Sequence, residues 1–138
     1  METVNIEYIG ELRTRARHMR SGDEFITDAP VDNQGKGEAF SPTDLLATSL
    51  GTCAVTTMGI AANAHGFNID GTIVRVTKIM VSEPRRVGEI VVEFDFPAKD
   101  YTDKQKELIK RTAEHCPVNK SLHPDVKQTF VFNFGDRG

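Results

Sequence analysis

The chain has 138 residues, a formal net charge of −3 and 27% charged side chains. That is one domain by length, 1–138, with material for a real core and no broad basic field for nucleic acid. Aromatic residues make up 7% and tryptophan is absent, so no aromatic cage or stacking platform is advertised.

Met1 to Gly10 is polar and lacks the apolar centre of a secretory signal. Together with only two cysteines, this makes reduced thiols in the cytoplasm the expectation rather than a disulfide framework. Val4 to Ile9 alternates apolar and polar residues and predicts a strand. Gly10-Glu11 turns into a second strand, Leu12 to Met19, and Ser21-Gly22-Asp23 into a third, Glu24 to Thr27. In the second strand Arg13, Arg15 and Arg17 share one face by the two-residue period. A solvated or edge-protecting row is one reading; a fixed cation pointing into a site is the other. Pro30 to Phe40 is rich in turn residues and predicts a loop.

The stretch from Ser41 to Gly66 dominates the chain. Ser41 caps, Pro42 suits the first helical position, and Asp44 stands where a capping box places its acid. Leu45 to Ala62 carries no charge, and Gly66 stops the helix. About 24 residues of helix span about 36 Å, and one this apolar is expected to be buried on most sides. Thr48, Ser49, Thr52, Thr56 and Thr57 interrupt the run and no basic cluster flanks it, which argues against a membrane span. A single sheet covers one side only, so a second chain is the expected cover.

Two further strands follow, Thr72 to Ser82 and Val87 to Phe96, joined by a turn at Pro84 to Gly88. In the latter Ile90, Val92, Phe94 and Phe96 mark a buried face. A second helix runs from Thr102-Asp103 to about His115. Cys116-Pro117 interrupts it before a short helix, Val118 to Leu122, and the chain closes on a strand, Lys127 to Phe134. Hairpins separated by helices predict an α+β fold with mainly antiparallel sheet around the long central helix.

Cys53 lies roughly 15 Å into its helix, as either a small core hydrophobe or a reactive thiol that needs a cation from elsewhere. Cys116 is either a plain helix-boundary residue or a thiol whose pKa is lowered at a helix start. A metal centre of His115, Cys116, His123 and Cys53 has poor geometry, with two adjacent ligands and no CxxC or HxxxH spacing. A Cys-His hydrolase lacks both partner spacing and an oxyanion loop. His18 and His65 stand alone and read as surface residues.

Ser41-Pro42-Thr43-Asp44-Leu45-Leu46, then Ser49-Leu50-Gly51-Thr52-Cys53, then Glu114-His115-Cys116-Pro117-Val118 resemble the OsmC/Ohr family, and the element order fits along essentially the whole chain. The resemblance implies an OsmC-like fold in an intertwined homodimer with two long central helices. It also implies a thiol-dependent peroxidase that reduces organic hydroperoxides and protects against oxidative stress. Cys53 would be the peroxidatic thiol and Cys116 the resolving one. An external dithiol, of lipoyl type in some members, would reopen their disulfide, and neither cofactor nor metal is implied. The chain departs from the best-characterised peroxidases at Thr43, where they carry a Glu that holds a catalytic arginine. Asp44 is either its replacement or the helix cap alone, and Arg17 or Arg15 is the nearest match for the arginine. The alternative function is a non-catalytic homodimer that binds a small apolar or thiol-reactive ligand.

Overall fold

The computed structural model describes residues 2–135. Their elements run β1 (Val4–Gly10), β2 (Arg13–His18), β3 (Glu24–Asp28), a single 3-10 turn (Val31–Asn33), α1 (Pro42–Ala64), β4 (Ile73–Val81), β5 (Arg86–Asp95), α2 (Asp103–Ala113), α3 (Pro117–Ser121) and β6 (Lys127–Asn133). The predicted order of strands and helices holds, with bounds displaced by a residue or two. Two compact units divide the chain between Leu46 and Ala47, inside α1.

In the first unit β1, β2 and β3 form an antiparallel meander. Gly10, Glu11 and Leu12 turn β1 into β2 with positive φ, and the Leu12 N–H donates to the Tyr8 hydroxyl at 3.2 Å. Alternation gives the sheet two unlike faces. Arg13, Arg15 and Arg17 stand in register with Asp28, Glu7 and Glu24 on one of them. Val4, Ile6, Tyr8, Ala16 and Phe25 share the other; of these only Ala16 is buried, while Tyr8 is 64% exposed. The loop after β3 folds back tightly at Gly35, where a Cβ would sit 1.7 Å from the Ala29 carbonyl oxygen. Phe40 then bridges to Thr27, and its carbonyl accepts the Asp28 N–H at 3.0 Å. The capping box forms as the sequence predicts. The Asp44 N–H donates to Ser41 Oγ at 3.1 Å, and the Ser41 N–H donates to Asp44 Oδ2 at 3.0 Å.

In the second unit β4 and β5 form an antiparallel hairpin, and β6 joins β5 in parallel. The sheet is therefore mixed rather than wholly antiparallel, because α2 and α3 lie between β5 and β6 and return the chain before the last strand begins. Ile90, Val92 and Phe94 of β5 are fully buried as predicted. They share a core with Ala47, Leu50, Ala54, Met58 and Ala62 of α1 and with Ile109 and Ala113 of α2. Phe94 stacks on Phe96, Phe130 and Phe132, and Phe96 on Phe134, joining the two strands across the sheet face. Gly51 lets α1 approach the sheet closely, since a Cβ there would lie 2.7 Å from Val76 Cγ2. α2 opens with a second capping box, Thr102 with Gln105.

α1 is long and apolar enough to cross a membrane by length and composition alone, a test that the core helix of a soluble protein also passes. Within one chain its buried residues, Ala47, Leu50, Gly51, Ala54, Met58 and Ala62, make one stripe. Ile60 is 66% exposed, because one sheet covers one face of a helix.

Candidate functional site

The residues around Cys116 explain its placement. α2 ends at Ala113, and Cys116 takes an extended conformation as the N-cap of α3, with Pro117 at the first helical position. Its Sγ accepts the Asn119 N–H at 3.4 Å, so the sulfur takes the place of the oxygen that Ser, Thr, Asp or Asn supplies to a cap. Asn119 is fixed in turn by β6. Its Nδ2 donates to Gln128 Oε1, and Gln128 Nε2 donates to the Asn119 carbonyl at 3.1 Å.

Cys53 stands on α1 beside the buried stripe, half-buried and packed against the core. The Thr57 hydroxyl donates to its carbonyl at 2.7 Å. The two thiols influence each other, the Cys53 side chain being one of the groups that raise the Cys116 pKa, and both cysteines are free thiols. Cys116 is 0% exposed. Burial pushes its pKa up, the neighbouring Cys53 adds to the rise, and the Asn119 and Val118 N–H groups oppose it. Upward is the opposite of what its place at a helix start predicts, because desolvation outweighs two amide donors. Cys116 is thus a protonated, buried thiol at neutral pH, beside a partner that solvent reaches.

The arginine row of β2 separates by partner. Arg15 Nη1 pairs with Glu7 Oε1 at 3.1 Å, with both side chains largely in solvent, and Arg17 is exposed. Arg13, named in the row but not as the match for the family's arginine, is held by two carboxylates. Its Nη2 reaches Asp28 Oδ2 at 3.4 Å and also meets Glu38 Oε1. Asp28 is 0% exposed. The Glu38 N–H, 3.0 Å from Asp28 Oδ2, is the first cause holding that carboxyl below the usual carboxylate range, followed by the Arg13 guanidinium. Asp28 raises the Arg13 pKa in return. Arg13 Nε and Asp28 Oδ1 are buried without a hydrogen-bond partner, a cost that native proteins tolerate at few places. The signal for Arg13 was Asp28 in register with it across β2 and β3. Asp44 forms the reciprocal cap with Ser41 described above.

Among the described residues no three His, Cys, Asp or Glu side chains gather where they could hold a metal ion. Cavities lie elsewhere on the second unit. An apolar one of about 260 Å³ is walled by Thr48, Gly51, Thr52, Val55, Val74 and Val76. A larger one of about 340 Å³, between His65, Phe67 and α2, has neither cysteine in its wall.

None of the curated proteins matches the sequence. Among solved structures, a Psychrobacter arcticus 273-4 protein named for an osmotic stress induced and detoxification response is 50% identical, with 96% of each chain covered and a TM-score of 0.92. The fold is shared with organic hydroperoxide resistance proteins at far lower identity. One from Legionella pneumophila is 14% identical over 96% of this chain and 98% of its own, TM-score 0.75. Another from Elizabethkingia anophelis is 14% identical over 96% of each chain, TM-score 0.74. The OsmC-like protein family model matches residues 35–130, a span that includes the α1 cap and both cysteines, and the chain belongs to the OsmC-like family.

Proposed function

We propose that the protein is a thiol-dependent peroxidase that reduces organic hydroperoxides through a Cys53–Cys116 redox couple, in defence against oxidative stress. The observation that supports this reading is a half-buried Cys53 packed against the same core as a buried Cys116, with Cys53 among the groups that raise the Cys116 pKa. In the first step the Cys53 thiolate attacks the terminal oxygen of the hydroperoxide. The O–O bond breaks, the alkoxide leaves and takes a proton as the alcohol, and Cys53 becomes a sulfenic acid. The Cys116 sulfur then attacks the Cys53 sulfur, water leaves, and a disulfide forms. An external dithiol, of the lipoyl kind, reduces it and is itself oxidised. Apolar surroundings favour alkyl hydroperoxides over hydrogen peroxide.

A Cys53 thiolate needs a cation. Arg15 and Arg17 are the sequence-based candidates. Arg13 is the one whose guanidinium is already fixed by acids, as electrostatic preorganisation requires. Asp44 orders the start of α1. The single OsmC-like domain works as a homodimer in the cytoplasm, where its thiols stay reduced. The exposed Ile60, Ile73, Ile6 and Tyr8 support a second copy as their cover.

Replacing each cysteine tests the reading. Cys53→Ser should abolish hydroperoxide consumption; Cys116→Ser should give one turnover and then over-oxidation of Cys53, seen as added oxygen mass. Wild-type turnover in Cys53→Ser contradicts the mechanism and favours a ligand-binding dimer.

A further inference from the structure

The Asn119–Gln128 clamp has no place in the chemistry as described so far. Gln128 stands at the start of β6 on the same alternating face as Phe130 and Phe132, in register with the fully buried Ile90 of β5. An amide there, among aromatic and aliphatic neighbours, costs free energy unless it is paired. It is paired at both ends with one residue, Asn119, and the Asn119 N–H is the donor to Cys116 Sγ.

We infer that Gln128 is a positioning residue for the reopening of the Cys53–Cys116 disulfide, holding the Asn119 N–H on the Cys116 sulfur so that Cys116 is the leaving group and the reductant attacks Cys53. The inference rests on the redox couple proposed above. The balance is that of thiol–disulfide exchange: an external thiolate bonds to Cys53 Sγ, the S–S bond breaks, and the electron pair goes to Cys116 Sγ as a thiolate. A second external thiol then releases Cys53. Access sets the direction, since Cys53 is half-buried and Cys116 has no exposed surface, and the Asn119 N–H offsets part of the burial that otherwise makes Cys116 the poorer leaving group. The leaving-group sulfur sets the rate together with the attacking one, and an N–H donated to a developing anion strengthens as charge builds.

The test does not require peroxide. The disulfide is formed with diamide and opened with mercaptoethanol, the released thiol is capped with N-ethylmaleimide, and the digest is mapped by mass. The expected result is mercaptoethanol on Cys53 and maleimide on Cys116. Gln128→Met, which keeps volume and loses both hydrogen bonds, should open roughly tenfold more slowly and lose this regiochemistry. Gln128→Glu, which still accepts from Asn119 Nδ2 but donates to the Asn119 carbonyl only when protonated, should match the wild-type rate in acid and fall below it, between wild type and Gln128→Met, at neutral pH. That pH-dependent rescue would not follow from a merely structural role, and it tests the inference even if Gln128→Met does not fold. Adducts on Cys116 in the wild type, wild-type opening in Gln128→Met, or failure of diamide to form the disulfide overturns the inference. A wild-type protein that opens as expected but does not consume cumene hydroperoxide overturns the peroxidase reading and leaves this one standing.

Discussion

Two thiols of one kind stand in different surroundings. Cys116 is sealed from water and capped by the Asn119 N–H, and its pKa is displaced upward by burial first. In a Cys53→Ser protein its alkylation rate should therefore still be climbing at a pH where a free peptide thiol has levelled off; a profile at or below that of the free thiol contradicts the burial account. Asp28 shows the opposite displacement. Its folded pKa is depressed, chiefly by the Glu38 N–H and then by Arg13, so the stability it contributes is complete above the unfolded carboxylate pKa and is lost as pH falls through the folded value. Asp28→Asn should flatten the acid limb of the stability–pH curve, read by urea unfolding from about pH 5 downward. The sequence displayed the arginine row but not which member matters. That distinction comes from partners on another strand and in a loop, Asp28 and Glu38, which no local pattern marks.

The elements were more legible than the pairings between them. α1 carries its own start signal in Ser41, Pro42 and Asp44, and the reciprocal bonds form as written. Ser41→Ala should cost about 1 kcal/mol, a fall in Tm of about 3 °C. At Gly51 two effects compete. Helix propensity favours alanine by about 1 kcal/mol, but the new Cβ would lie 2.7 Å from Val76 Cγ2, and overpacking costs about 1–3 kcal/mol. Packing should win because valine has few rotamers with which to yield, and Gly51→Ala should unfold at lower urea than wild type. Equal or greater stability would mean that β4 moves aside. The parallel partnership of β5 and β6 was not legible. Alternation marks a strand and its inner face, whereas its neighbour depends on how α2 and α3 carry the chain back.

For the whole molecule, the uncharged run from Leu45 to Ala62 is the sequence feature that reaches furthest. One stripe of it enters the core and Ile60 stays in solvent, so a chain alone leaves apolar surface that a homodimer would remove. Light scattering should give twice the chain mass for the wild type and a shift toward the single-chain mass for Ile60→Asp; a wild type at single-chain mass contradicts the homodimer. The central claim concerns the two sulfurs, and it is tested most directly by treating fully reduced protein with an equimolar amount of cumene hydroperoxide while scoring free thiols and intact mass. The account predicts that both thiols disappear together and that the chain loses the mass of two hydrogens. Thiols that persist in excess hydroperoxide would contradict it.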